Sequence, residues 1–274
     1  MPQKREDNAK TLIIARGDEL MRPTTRRSFV RLLGAGGAVV MMPGVFGAYA
    51  TTPVLGTQVD GGLMFDLRSD VGIFRLVHTL EQLEAAFYTA VVGNGNFNTF
   101  FSAPERELFT DLRNVEIVHR EFLRTALGSQ AVPDVTGSIN TTTLNTILSS
   151  RENILAASRL FEHLGVSGLN GAGKYLQDAR NVLLAGKFVS VEARHAAALR
   201  DIAPPAGQSA TTAFAGDDIV DRNGMDVKLE AGAVLDRVAA ANIVVNGAVS
   251  SRHISYAPTP TQGVPSADYF PSTP

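Results

Sequence analysis

The sequence predicts an all-α fold: a bundle of four long helices in two antiparallel hairpins, joined by a long crossover and followed by a loop-rich C-terminal region. Three observations carry this. Apolar residues recur at helical spacing in four stretches between residues 69 and 203. The links between the first and second stretches, and between the third and fourth, are short, which makes each pair an antiparallel hairpin. The link between the hairpins, residues 128–142 (GSQAVPDVTGSINTT), is polar and punctuated by Gly and Pro, and its 15 residues reach about 50 Å when extended, enough to run the length of a bundle. A simple up-down-up-down bundle would not need so long a link.

In the first helix Ile73, Leu76, Leu80, Leu83, Phe87 and Val91 form the apolar stripe. Asp70 near its start suits the helix dipole, and Gly93-Asn94-Gly95-Asn96 ends it. The second helix follows Ser102-Ala103-Pro104-Glu105, where Ser is an N-cap and Pro is tolerated in the first turn. Its inner stripe is Phe109, Leu112, Val115, His119, Phe122, Leu123 and Ala126, and Gly128 stops it. A third helix is expected from about Thr143 to Leu164, buried through Leu144, Ile147, Ile154, Leu155 and Phe161, with Gly165, Gly168, Gly171 and Gly173 breaking the chain behind it. A fourth runs from about Gln177 to Asp201 and is closed by Pro204-Pro205. Residues 69–203 thus make the bundle, residues 51–68 an extended lead-in, and residues 204–274 an extension with one short helix near Glu230 to Ile243 and a Pro-rich tail.

Composition narrows the function. The chain has 274 residues, 45% hydrophobic and 19% charged, which is ordinary for a globular protein. It has no cysteine, which excludes disulfides, thiolate metal sites and cysteine nucleophiles. The net charge of -2 hides an asymmetry: residues 1–50 hold eight Lys or Arg against four acids, leaving 17 basic and 23 acidic residues in the remainder. A mildly acidic body gives no electrostatic footprint for a nucleic acid or an anionic membrane.

The first fifty residues read as an address. Arg26 and Arg27 are paired, Phe29 follows two positions on, and the segment from Leu32 to Met42 is weakly apolar and rich in glycine. Ala48-Tyr49-Ala50 places small residues where a signal peptidase reads, so cleavage is expected after Ala50. The pattern resembles a twin-arginine export signal, which implies the twin-arginine export machinery as a partner and a periplasmic or secreted protein. Gly34, Gly36, Gly37 and Pro43 interrupt the apolar run, which is shorter than the roughly 20 residues that span a bilayer, so no stable membrane anchor is expected. Met21, just ahead of the arginines, is an alternative start to Met1.

The chemistry lies in two repeats of one pattern. Glu116-Ile117-Val118-His119 falls in the second helix and Glu192-Ala193-Arg194-His195 in the fourth. A spacing of three sets each Glu and His on one helix face, one turn apart, within apolar stretches that turn inward. Chance would supply about 0.2 such pairs in a chain with these numbers of Glu and His, so two at matching places is a signal. Inward glutamates are also offered by the first helix, as Glu81 and Glu84, and by the third, as Glu162. This is the plan of the di-metal carboxylate bundles: one Glu from each of two helices and a Glu-x-x-His pair from each of the others. Four buried carboxylates would be balanced by two divalent ions, and the oxygen and imidazole donors suit iron first and manganese second.

The runs Leu80-Glu81-Gln82-Leu83-Glu84-Ala85-Ala86-Phe87-Tyr88, Phe161-Glu162-His163-Leu164-Gly165-Val166 and Val191-Glu192-Ala193-Arg194-His195-Ala196-Ala197 resemble the ferritin-like domain of the desiccation-related protein family, as does Asn223-Gly224-Met225-Asp226-Val227-Lys228-Leu229 later on. The resemblance covers roughly residues 65–245 and implies a ferritin-like fold and a di-metal site, without naming a substrate. In ferritin-like proteins a tyrosine follows the first glutamate ligand by seven residues, as Tyr88 follows Glu81, which implies Glu81 as the ligand and Glu84 as a neighbour of the ligands or their alternate. The implied ligands are therefore Glu81, Glu116, His119, Glu162, Glu192 and His195. The sequence departs from the family at His163, where an acidic residue is frequent. His78, one turn before Glu81, is expected to be a hydrogen-bonded core residue or a support to the ligands. Tyr88 is expected to pack rather than to exchange electrons, Arg194 and Arg200 to lie on solvated faces, and His253 to have no role.

Three functions remain open at this level: an oxidase acting with dioxygen or peroxide on Fe(II) or a small organic substrate, a stress or structural protein stapled by its metal pair, and a periplasmic binding scaffold. An open path to the metal positions would separate the first from the second.

Overall fold

The computed structural model describes residues 63–245 and 248–256. The segment expected to be an export signal, with Arg26, Arg27 and Ala50, lies outside the described residues, as do most of the expected lead-in and the Pro-rich tail. Element order is β1 (Phe65–Asp66), α1 (Asp70–Val92), α2 (Phe97–Phe100), α3 (Ala103–Leu127), α4 (Thr141–Ile147), α5 (Arg151–Gly173), α6 (Ala179–Ile202), α7 (Ala210–Ala213), α8 (Ala231–Ala240) and β2 (Ile254–Tyr256). The fold is all-α, built on α1, α3, α5 and α6. Among the described residues no helix is long and apolar enough to cross a membrane.

Two apolar clusters give the direction of each long helix. One gathers Phe87, Tyr88 and Val91 of α1, Phe109 and Leu112 of α3, Ile154 and Phe161 of α5, and Leu199 of α6. The other gathers Phe74 and Val77 of α1, Leu123 and Leu127 of α3, Leu169 of α5, and Ala185 and Phe188 of α6. Following residue numbers from one cluster to the other, α1 runs against α3 and α5 against α6, while α3 and α5 run the same way. Parallel neighbours in sequence require the chain to return along the bundle, and residues 128–140 do so. The side-chain amide of Gln82 pins this crossover to α1: its Nε2 donates to Pro133 O (3.2 Å) and its Oε1 accepts from Val135 N (3.0 Å).

The helix ends follow local chemistry. Ser69 Oγ accepts from Gly72 N (3.1 Å) at the start of α1. At the start of α3 the Glu105 carboxylate accepts from both the backbone N–H (2.8 Å) and the hydroxyl (2.7 Å) of Ser102. Asp70 reaches across to the start of α6, accepting from Gln177 N (2.8 Å), Asp178 N (3.1 Å) and Asn181 Nδ2 (2.8 Å).

The third long helix differs from expectation at both ends. The stretch expected as one helix from Thr143 is divided: Asn140 Oδ1 caps α4, receiving Thr142 N (3.1 Å) and Thr143 N (3.2 Å), and Ser150 Oγ caps a new helix, receiving Asn153 N (3.2 Å). The glycines at 165, 168 and 171, expected to break the chain, lie inside α5 instead. They are sites of close approach. A Cβ on Gly171 would sit 1.8 Å from Leu229 O, one on Gly168 3.3 Å from Val234, and one on Gly165 3.4 Å from Glu192 Oε2. The extension lies over this glycine face, with Leu229 N donating to Ser167 O (2.8 Å). Val227, Leu229, Val234, Leu235 and Val238 are buried there. Arg200, expected in solvent, is a second correction. It is buried and ties α6 to the extension, donating to Ala213 O (2.5 Å) and Asp218 Oδ1 (2.6 Å). Arg194 is exposed.

Candidate metal centre

Between the two apolar clusters the bundle carries a polar layer to which all four long helices contribute. Each Glu-x-x-His pair shares one face of its helix, so Glu116 and His119 of α3 and Glu192 and His195 of α6 enter the layer together, opposite Glu81 of α1 and Glu162 of α5. Their donor atoms form two overlapping groups, each within 4.8 Å: Glu81, Glu116, His119 and Glu192, and Glu116, Glu162, Glu192 and His195. All six residues implied as ligands are thereby brought together.

Glu116 and Glu192 belong to both groups, one oxygen toward each. Glu116 Oε2 lies 3.2 Å from His119 Nδ1 and its Oε1 2.9 Å from His195 Nδ1. Glu192 Oε1 lies 3.0 Å from His119 Nδ1 and its Oε2 3.8 Å from His195 Nδ1. Glu81 Oε2 stands 3.4 Å from His119 alone, and Glu162 Oε2 3.2 Å from His195. Two carboxylates therefore span two positions, and a Glu and a His close each end.

The layer has more buried acceptors than donors. Each imidazole Nδ1 faces three carboxylates and can donate to one at a time. Glu81 Oε2, Glu116 Oε1 and both oxygens of Glu192 are buried without a satisfied hydrogen bond. Burial pushes Glu81 well above the usual carboxylate range, and Glu162 up to about 8. Burial also acts on Glu116, but the His119 and His195 imidazoles beside it outweigh burial and hold that carboxylate low. Burial would lower both imidazoles, yet the surrounding carboxylates raise His119 well above its ordinary value and His195 to about 12. A site that recruits protons this strongly is short of positive charge. Its donors, carboxylate oxygen and imidazole nitrogen, are those of iron, manganese and zinc. The residues fit a pair of divalent ions.

Other side chains support the set. Tyr88 donates its hydroxyl to Glu162 Oε1 at 2.5 Å, orienting the carboxylate by a buried bond as well as packing against Phe87. The His119 ring lies on Phe188, centroids 4.5 Å apart. Glu84 is buried but in neither group, and its Oε1 lies beside Gly165, 3.5 Å from where a Cβ would stand. Burial holds its carboxyl well above the usual range. His78 is buried with its Nδ1 unpartnered, its pKa pushed by burial down to about 4, and it too is in neither group. His163 is half-buried and in neither group, with Arg200, Arg237 and Asp218 as charged neighbours. His253 is buried, and its Nδ1 accepts from Ser250 N (3.1 Å), a local turn contact.

The sequence did not disclose a groove between α3 and α6. Its volume is about 570 Å³, and it is lined by Leu108, Leu112, Val115 and Val118 from one helix and Val191 and Ala198 from the other, with His119 and His195 also on its wall. The four glutamate side chains are at most 3% exposed, the imidazoles 11% and 12%. The cluster is thus reached past its histidines. Val118, beside His119 and outside the expected stripe, was the available signal, while Val115, expected in that stripe, is half-exposed on the groove wall instead.

No curated protein and no solved structure gives a significant match to the chain. Residues 69–204 match the family described as the ferritin-like domain, the same segment that forms the bundle and carries the six converging side chains. The bundle of residues 69–204 has the all-α fold of a ferritin-like domain.

Proposed function

We propose that the protein is an exported di-metal carboxylate oxidase, holding two ions, iron before manganese, at Glu81, Glu116, His119, Glu162, Glu192 and His195. The observation that carries the reading is the pair of carboxylates, Glu116 and Glu192, each presenting one oxygen to either half of the centre. The chemistry a bound iron pair supplies is electron transfer to dioxygen or peroxide, with Fe(II) or a small organic molecule as the reductant. The chain's own part is positional. Glu116 and Glu192 fix the separation, the imidazoles close the two ends on the groove side, Tyr88 orients Glu162, and the apolar clusters above and below keep bulk water out. Six protein ligands cannot saturate two octahedral ions unless several carboxylates chelate, so the donor count leaves positions for an oxidant.

The test is oxygen uptake. Protein loaded anaerobically with Fe(II) should hold two ions per chain and consume dioxygen or peroxide on mixing, while protein loaded with Zn(II) should not. Two bound irons with no uptake of either oxidant would leave a structural staple, a reading favoured by the contribution of all four helices. Full stability with no bound metal would remove the site altogether.

Export and a stress-related role belong to the same proposal. The support for export is the Arg26-Arg27 pair, the glycine-rich apolar segment and Ala48-Tyr49-Ala50. The support for a desiccation-related role is the resemblance of the runs around Glu81, Glu162 and Glu192. Replacing Arg26 and Arg27 by Lys should leave uncleaved protein in the cytoplasm; normal export of that variant, with cleavage near Thr51, would exclude the twin-arginine route.

A further inference from the structure

We propose that the groove between α3 and α6 binds a small organic molecule with an apolar body, and that this class of molecule, rather than a hydrated metal ion, is the substrate of the centre. Calling the ligand a substrate rests on the reading of the layer as a metal site; its binding does not.

The volume of about 570 Å³ lies in the range of small-molecule pockets, roughly 300–1,000 Å³. Leu108, Leu112, Val115, Val118, Val191 and Ala198 dominate the lining. Such a wall gives nothing to a hydrated cation, which loses solvation on meeting it and finds no row of oxygen ligands to exchange for its water. The groove holds one acid, Asp111, and one base, Arg194, both exposed, so it carries no net negative charge to draw cations in. An apolar molecule gains on the same wall, because Val115, Val118 and Val191 are half-exposed and would be covered by it. The inner limit of the groove is chemical. His119 and His195 reach it, and the carboxylates behind them do not. A molecule seated there lies against both imidazoles, with the two ion positions directly behind. Asp111 and Arg194 supply a polar rim, which suits a ligand with one polar end.

The probe is 1-aminoanthracene, a neutral fluorophore that brightens in apolar cavities, titrated into metal-free and Zn(II)-loaded protein. One probe should bind per chain in both forms. Val118→Arg and Val191→Arg, which bring a charge into the groove from opposite walls, should each weaken binding at least ten-fold, with two zinc ions per chain and the helical content retained. Val182→Arg, on an exposed part of α6 outside the groove, should bind as the wild type. Wild-type affinity in both groove variants would overturn the proposal. So would a dimer that Val118→Arg separates, since a second copy would then be the occupant. Probe binding with no zinc would remove the metal reading and keep the groove; two zinc ions with no probe binding would do the reverse.

Discussion

Glu81 and Glu84 stand one turn apart on the same face of α1, both buried, and only one of them reaches an imidazole. Glu81 Oε2 lies 3.4 Å from His119 Nδ1, whereas Glu84 points at the glycine face of α5 and joins neither four-residue group. The two should respond differently to one chemical change. Glu84 faces no imidazole and belongs to neither group, so Glu84→Gln, which keeps the shape of the side chain, should leave two ions per chain. Glu81→Gln exchanges one of the carboxylates that face the His119 half for an amide, a poorer metal ligand. It should reduce the stoichiometry toward one, or weaken one of two binding steps by at least ten-fold, as read by metal analysis and calorimetric titration. Equal loss in both variants would make Glu84 a ligand too. The Glu-x-x-His pairs were legible because a spacing of three is a local property of one helix. The choice on α1 was not legible from spacing alone, because both glutamates satisfy the same periodicity and only the neighbouring helix distinguishes them. Tyr88 shows the same limit: its burial follows from the apolar stripe, but its bond to Glu162 crosses 74 residues and leaves no trace in either segment.

At the scale of elements, α5 shows how a local rule yields to a tertiary one. Glycine disfavours helix by about 1 kcal/mol relative to alanine, so the run from Gly165 to Gly173 argues for a break. The helix continues because those missing side chains let the extension approach its backbone, and the contact supplies what propensity withholds. Gly171 and Gly186 separate the two effects. A Cβ at Gly171 would stand 1.8 Å from a backbone oxygen, whereas one at Gly186, inside α6 and exposed, would meet nothing within 4 Å. Gly171→Ala should therefore cost about 1–3 kcal/mol by forcing Leu229 away, while Gly186→Ala should stabilise by about 1 kcal/mol. Urea denaturation of the two variants measures both. Stabilisation by Gly171→Ala would mean that the extension does not press on α5. The boundary at Ser150 is the complementary case: Leu144 and Ile147 continue the apolar period of Ile154 and Leu155, so the stripe looks unbroken while the Ser150 cap divides it.

At the scale of the molecule, the two hairpins meet across a layer that repels itself without cations. Glu81 and Glu116 belong to one hairpin, Glu162 and Glu192 to the other, and protonated His119 and His195 supply the positive charge when no metal is bound. Two divalent ions would replace those protons and bind both hairpins at once through Glu116 and Glu192, which makes the metal a further link between halves that also adhere through the apolar clusters and through the bonds of Asp70 to the start of α6 and of Tyr88 to Glu162. Because the ions bind the folded bundle and not the open chain, each stabilises it by RT ln(1 + [L]/Kd), about 4 kcal/mol at a thousand-fold excess over Kd. For a chain of this size each kcal/mol moves the melting temperature by about 2–4 °C, so removal of the metal by a chelator should lower it by roughly 8–16 °C for each ion lost. The apolar clusters should keep the helices formed below the new transition, so circular dichroism at room temperature should hardly change. The size of the shift depends on affinity and free metal alone, so it is substitutions that place the ion in the shared site. Glu116→Ala and Glu192→Ala provide the control: each removes a carboxylate facing both positions, and either should abolish most of the chelator-sensitive shift. A shift that survives both substitutions would place the stabilising ion elsewhere on the molecule.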